Sequence, residues 1–498
     1  MSISIRIASL YEDLKASTEE LRTDPGPVLR SRALLEGAIA TGGVFYGVNT
    51  GFGKLASKRI PDDSLRQLQR NILLSHAVGV GDPVPRTIAR LMLGLKIHGL
   101  GLGHSGVSET TFKRLLDFEK NDLIPLIPCK GSVGASGDLA PLAHMALPLL
   151  GEGEFMREDG SSQTAAEGLA GAGLSPIQLQ AKDGIALLNG TQLMTAYGAF
   201  VMHRAHSLIR LVDLIGTMSL EALQGSATPF DERIHAVRPH PGQMRVARNV
   251  RTLLKGSEIL ESHRNCGKVQ DPYCLRCMPQ VHGASRDALA HVTAVMEIEM
   301  NSVTDNPLVF EPGDIVSGGN FHGQPVALAL DYAAIALAEL ASISERRVYL
   351  LLEGHDGLPT LLMKETGLNS GFMIPQYTAA ALVSENKILC HPASVDSIPT
   401  SLGQEDHVSM GATAAVKLLQ VLTNVEHVLA IELITAAQAL DYRKPLRPGR
   451  GIEHAHDLIR ERIPHREADY YFQEDLKPAI ELIRSPGLVD AVSDILAD

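Results

Sequence analysis

The 498-residue sequence has no tryptophan, and aromatic residues make up only 4% of it. With 45% hydrophobic residues, its core must be built from Ala, Leu, Ile and Val rather than from large rings, and this suggests close-packed helices. Cysteine is also scarce. Five in so long a chain form no disulfide framework and read as reduced thiols of a cytoplasmic protein. No uninterrupted apolar run reaches the roughly 18 residues that a membrane helix needs. The opening stretch MSISIRIASLYEDLKASTEE turns acidic where a signal peptide would be apolar. Positive charge is in deficit, with 45 Lys and Arg against 57 Asp and Glu. A net charge of −12 argues against a nucleic acid or an anionic membrane surface as partner. Pro/Ser-rich linkers, single-charge runs and fixed-period repeats are missing as well.

The length allows two or three structural regions, since single cores rarely grow past about 250–300 residues. In the C-terminal half, Leu418, Leu422, Val425, Leu429 and Leu433 recur at helical spacing. The stretch GQPVALALDYAAIALAELASISERRVYLLLEG is apolar around most of its circumference and reads as a long helix at the centre of a bundle. A third helix, DALAHVTAVMEIEMNSVTDNP, should stop at Asn306-Pro307. Short segments and Gly-rich turns fill the first two hundred residues. The expected organisation is therefore mainly α, with a smaller mixed region over 1–195 and a long-helix bundle over 196–498.

Three stretches invite chemistry. Gly101–Gly106 is a literal G-x-G-x-x-G, but Ile88, Leu91, Met92 and Leu95 ahead of it follow helical spacing, so a helix ending in glycines explains it better than a dinucleotide site. Cys266, Cys274 and Cys277, with His263 and His282, resemble zinc ligands in part. The second close pair of a structural zinc site is absent, so no metal is expected. GSVGASGDLAPLAH, Gly131–His144, puts Ser136 between small residues. A nucleophile elbow would need a glycine where Asp138 stands and a strand before it. A capped helix, with Ser136 or Asp138 as N-cap and Pro141 in the first turn, accounts for Asp138 and Pro141 but not for Ala-Ser-Gly. Ring closure does. In a tight bend the Gly137 nitrogen attacks the Ala135 carbonyl, and loss of water from the ring and from Ser136 leaves a methylidene-imidazolone, an electron sink that no side chain supplies.

With that reading, the chain resembles the aromatic amino acid ammonia-lyases along almost its whole length. The blocks are YGVNTGFG (46–53), SHAVGVG (75–81), GSVGASGDLAPLAH (131–144), LLNGTQ (187–192), VQDPYCLRCMPQVHGA (269–284), SGGNFHGQPVA (317–327) and HPASVDSIPTSLGQEDHVSM (391–410). Cys274 replaces a more usual Ser, and Leu402-Gly403 a small-residue/Asn pair. The resemblance implies a fumarase/aspartase-like helical architecture, and a homotetramer whose active sites are each shared by three subunits. It also implies a 4-methylidene-imidazole-5-one made from Ala135-Ser136-Gly137, with no external cofactor. Ser75-His76 matches the members that act on histidine, so the implied reaction takes L-histidine to trans-urocanate and ammonia.

Carried onto this sequence, the family pattern makes Tyr46 the base for the β-proton. Its phenol, with a usual pKa of about 10, needs lowering by a helix N-terminus or a cation. Arg276 is the bidentate partner for the substrate carboxylate. Asn189, Gln270 and Tyr273 supply polar contacts around the amine, carboxylate and electrophile, with Tyr273 counted among the catalytic residues beside Tyr46, Ser136 and Glu405. Gln270, Tyr273 and Arg276 are spaced to share one helical face roughly. Phe321 would wall the pocket. His76 and Glu405 would hold the imidazole nitrogens, with Glu405 a second candidate base. A tyrosine- or phenylalanine-acting lyase or aminomutase, a serine hydrolase using unmodified Ser136, and a silent helical scaffold are the alternatives.

Overall fold

Helices carry most of the chain in the computed structural model, which describes residues 3–53, 57–264, 267–493 and 496. Four are long: α1 (Gln192–Ala222), α2 (Met278–Met300), α3 (Gln324–Leu352) and α4 (Gly411–Asp441). The expected stripe of α4 is buried throughout, from Leu418 and Leu422 to Leu429 and Leu433. α2 ends before Asn306-Pro307. The Asn301 side-chain amide donates to the Glu297 carbonyl at 2.7 Å, occupying an acceptor that the next helical turn would have used. α3 and α4 have the length and composition of membrane-crossing helices, yet 67% and 78% of their apolar windows are buried inside the protein.

The chain divides into two compact units. The first comprises Met1–Val201, Thr293–Asp331 and Pro392–Lys417. Its helix Leu10–Thr23 packs on Arg86–Gly101 because Gly94 and Gly101 leave room for Leu14 and Leu21. A Cβ on either glycine would stand 2.7 or 2.3 Å from those leucines. The Gly101–Gly106 motif therefore closes a helix. Small antiparallel sheets complete the unit. Val80–Pro83 pairs with Pro128–Lys130, Glu154–Met156 lies between Ile124–Pro125 and Ser162–Thr164, and Leu308–Phe310 forms a hairpin with Asp314–Val316.

The second unit comprises Met202–Val292, Tyr332–His391 and Leu418–Asp498. Inside it the Arg347 guanidinium grips the Glu432 carboxylate at two points, 2.5 and 2.9 Å, with both side chains fully buried.

Candidate active site

In the first unit, a chamber of about 540 Å³ is lined by Tyr46, Ser75, His76, Ser136, Asn189 and Glu405, with Ile72, Ile185 and Leu188 as apolar wall. The loop carrying Tyr46 holds itself together. Asn49 accepts from the Phe45 N–H at 2.8 Å and donates to the Gly43 carbonyl at 2.8 Å, and Thr50 Oγ1 accepts from the Gly47 N–H at 3.0 Å. Gly47 has φ +65, and a Cβ there would meet Ile185 at 2.3 Å. The Tyr46 hydroxyl accepts the Gly53 N–H at 3.0 Å. Burial pushes the Tyr46 phenol up, Glu405 adds to that, and the Gly53 bond opposes it. The net direction is the reverse of what a base requires.

His76 is the last residue of helix Leu65–His76. Its Nδ1 lies 3.0 Å from Ser75 Oγ, which leaves Nε2 for a ligand. Burial pushes its pKa down, against the Ile72 carbonyl and Glu405, so the ring is neutral at pH 7. Glu405 closes a short bridge with Thr400, whose Oγ1 donates to Oε2 at 3.0 Å. Asn189 ends helix Asp183–Leu188. Its amide donates to the Asn306 carbonyl at 2.8 Å, and its own carbonyl accepts from Lys96 Nζ at 2.7 Å.

The tripeptide is bent sharply. Ser136 adopts φ 49 and Gly137 φ 87, and the Gly137 N–H donates back to the Gly134 carbonyl at 3.1 Å. A Cβ on Gly137 would lie 2.1 Å from the Gly190 oxygen and 3.0 Å from the Phe321 oxygen, so only glycine fits. Gly190 braces the turn from its other side, since its N–H donates to the Ser136 carbonyl at 3.2 Å and its carbonyl accepts from the Asp138 N–H at 2.8 Å. Phe321 contributes backbone here, and its ring is not among the residues lining the chamber.

Asp138 precedes helix Leu139–Ala146 at its N-cap position without a side-chain capping bond. Its carboxylate instead accepts the N–H groups of Leu193 and Met194, at 2.9 and 3.1 Å, at the start of α1. Burial pushes this carboxyl up to about 7 against those two donors. Burial likewise brings the Lys96 ammonium down to about 7, with Asp305 opposing. The sequence marks Asp138 only as a helix cap and does not mark Lys96. A lysine or aspartate beside apolar residues does not announce a buried partner far along the chain.

Gln270 and Arg276 line a separate cavity of about 690 Å³ in the second unit. The one-face expectation for Gln270, Tyr273 and Arg276 is corrected. Pro272, with φ −57 and ψ 157, starts a helical turn of only Tyr273–Arg276, so Gln270 stands outside it. The Arg276 guanidinium sits 4.4 Å from the Tyr273 ring centroid and donates from Nε to the Asp271 carbonyl at 3.0 Å. Tyr273 is 70% exposed. Of the partial zinc set, Cys266 lies outside the described residues. His263 uses its ring nitrogens on the Ile259 and Gly225 carbonyls, and His282 uses its own on Asp213 and Arg347.

The chain belongs to the aromatic amino acid lyase family, whose sequence model matches residues 13–461. Within that family, the histidine ammonia-lyase of Myxococcus xanthus is 52% identical over 97% of this chain and 95% of its own length. The crystal structure of histidine ammonia-lyase from Trypanosoma cruzi superposes with a TM-score of 0.88 at 42% identity, covering 95% of this chain and 89% of that one. A tyrosine aminomutase from Streptomyces globisporus reaches a TM-score of 0.91 at 33% identity over 100% of this chain and 98% of that one. The fold is thus the helical fold of these enzymes, and the chain is a carbon–nitrogen lyase.

Proposed function

We propose that the protein eliminates ammonia from L-histidine to give trans-urocanate, the first step of histidine degradation. The observation that carries this reading is the chamber in which His76 and Glu405 share walls with Tyr46 and Ser136. An imidazole needs a partner for each ring nitrogen, and a neutral His76 with a carboxylate provides both. A phenyl ring beside Glu405 would leave a partly buried carboxylate unpaired, which is costly.

Ala135, Ser136 and Gly137 fit a self-made 4-methylidene-imidazole-5-one. The bend returns the Gly137 nitrogen to the Gly134 carbonyl, one residue before Ala135, and a Cβ on that glycine has nowhere to go. When formed, the group supplies an electron-poor alkene. His76 and Glu405 orient the substrate ring, Tyr46 takes the β-proton, and Glu405 stands beside it as a second acceptor. For Tyr46 to act, its phenol must lose the upward push it has in this chain alone, and a positive neighbour in the assembled site supplies that. Asn189 contributes polar contact at the chamber wall. Phe321 contributes the backbone oxygen that crowds Gly137, and so helps to keep the bend closed.

Gln270, Tyr273 and Arg276 belong to the carboxylate end of the site. The protein works as a homotetramer in which another copy delivers them to the chamber, an arrangement supported by the high exposure of Tyr273. The scarcity of cysteine supports a cytoplasmic location, and the net charge of −12 supports a role with neither nucleic acid nor membrane as partner. The test is to follow urocanate absorbance with L-histidine, with L-tyrosine and L-phenylalanine in parallel and Ser136→Ala as control. Urocanate formation lost in the variant is expected, together with a wild-type intact mass lower than the sequence mass by two waters. A wild-type rate no higher than the control would overturn the reading.

A further inference from the structure

The short turn Tyr273–Arg276 carries two of the proposed substrate contacts, and its backbone leads inward to a buried chain of charge. Arg347 Nη1 points at the Cys274 carbonyl at 3.5 Å and at His282 Nε2 at 3.3 Å. Its other two nitrogens are committed to Glu432, which Ser219 Oγ also holds at 2.7 Å. A guanidinium only donates, so His282 Nε2 accepts and the ring hydrogen sits on Nδ1, donating to Asp213 Oδ1 at 3.0 Å. Burial pushes the His282 pKa down, in keeping with that neutral tautomer. Asn249 and Arg286 each hold Asp213 Oδ2 at 2.8 Å. Gly216 makes room for Met278 and the guanidinium together, since a Cβ there would stand 2.7 Å from Met278 Sδ and 3.2 Å from Arg347 Cζ.

Such an array is expensive to bury, and apolar residues of similar volume often stabilise a core as well or better. What apolar residues cannot do is fix one carbonyl by a directed donor. The turn held in this way carries the Arg276 guanidinium over Tyr273, with Nε on the Asp271 carbonyl.

We propose that Arg347, fixed by Glu432 and by His282–Asp213, is a positioning residue for the deamination: it sets the Tyr273–Arg276 turn, through the Cys274 carbonyl, at the height where Arg276 meets the substrate carboxylate. This rests on the histidine-lyase reading. Arg347→Lys keeps a charge for Glu432 but has one head, which cannot also serve Cys274 and His282. Steady-state rates are measured for wild type, Arg347→Lys, Arg276→Lys and the double variant. The single change should lower kcat/KM for L-histidine by about tenfold, mainly through KM, while in the Arg276→Lys background it should cost less than about twofold. His282→Gln, which breaks the same chain one link further back, should repeat the pattern more weakly and serves if Arg347→Lys does not fold. Equal losses in both backgrounds would overturn the proposal. If wild type proves inactive on histidine, the functional reading fails separately. Amide exchange of residues 271–277 then decides, because faster exchange confined to that segment in the variant supports positioning and unchanged exchange refutes it.

Discussion

The Met194 N–H donates to the Asp138 carboxylate at 3.1 Å, so the residue directly after the Ala135-Ser136-Gly137 turn caps a helix 56 positions later. One oxygen of that buried carboxyl serves the α1 terminus, and the other has no hydrogen-bond partner among the described residues. The turn is therefore tied to α1 by a group held near its own neutralisation point.

That arrangement sets a pH dependence. The folded pKa of Asp138, about 7, lies above its ordinary 3.8, so between these values the unfolded chain releases a proton that the folded chain keeps. Stability from this group is complete below about 4 and falls as pH rises through about 7. The stability difference between wild type and Asp138→Asn, measured by urea unfolding from pH 5 to 8, should move in the variant's favour as pH rises. A difference independent of pH would show that the carboxyl is ionised throughout.

Gly137→Ala should fail at the backbone. The added carbon would lie 2.1 Å from the Gly190 oxygen, at a φ of +87, and a main-chain carbonyl cannot swing aside as a side-chain tip can. A loss of at least about 3 kcal/mol is expected, with no two-water mass deficit. A stable variant carrying the deficit would refute the proposed fit of the turn.

His76→Leu removes the free Nε2 and leaves an apolar wall. It should lower kcat/KM for L-histidine by about 100-fold, the loss expected for one buried polar contact to the substrate. In wild type, acid inactivation should set in below the ordinary histidine range, because burial lowers this pKa. An acid limb that persists unchanged in His76→Gln would assign it to another group.

Tyr46 predicts the opposite limb. If its phenol stays raised in the assembled enzyme, kcat/KM climbs with pH beyond the usual tyrosine range. If a partner cation lowers it, the rate levels off earlier. Tyr46→Phe should abolish the limb along with turnover, and a limb that survives at a measurable rate would take the base role away from Tyr46.

The proposed sharing of sites can be read by mixing. Tyr46→Phe and Arg276→Ala copies, each inactive alone, should recover activity when refolded together, since in the proposed tetramer some sites would draw both intact residues from different copies. No recovery, in tetramers shown to be mixed, would place the whole site on one copy.

Long helices were legible because their signal is local and repeated, as in the buried stripe from Leu418 to Leu433. The chamber residues were legible through their blocks: Tyr46, His76, Ser136, Asn189 and Glu405 lie far apart in sequence and share one cavity. Asp138 was read as the cap of the helix it precedes, because sequence spacing reports neighbours and not what crosses from another segment. Lys96 and the Arg347–Glu432 pair, 85 residues apart, escaped for the same reason. Gln270 was placed on a helical face that Pro272 does not allow to begin so early.

Gly190 touches the tripeptide on two sides, and it arrives from a segment synthesised well after Ser136. The bend cannot be held shut until that later stretch has been made and docked. On the proposed chemistry, a nascent or misassembled copy would keep an ordinary serine and stay inert, and the reactive alkene would come into being only within a finished fold. Catalytic power would then double as this chain's certificate of correct folding.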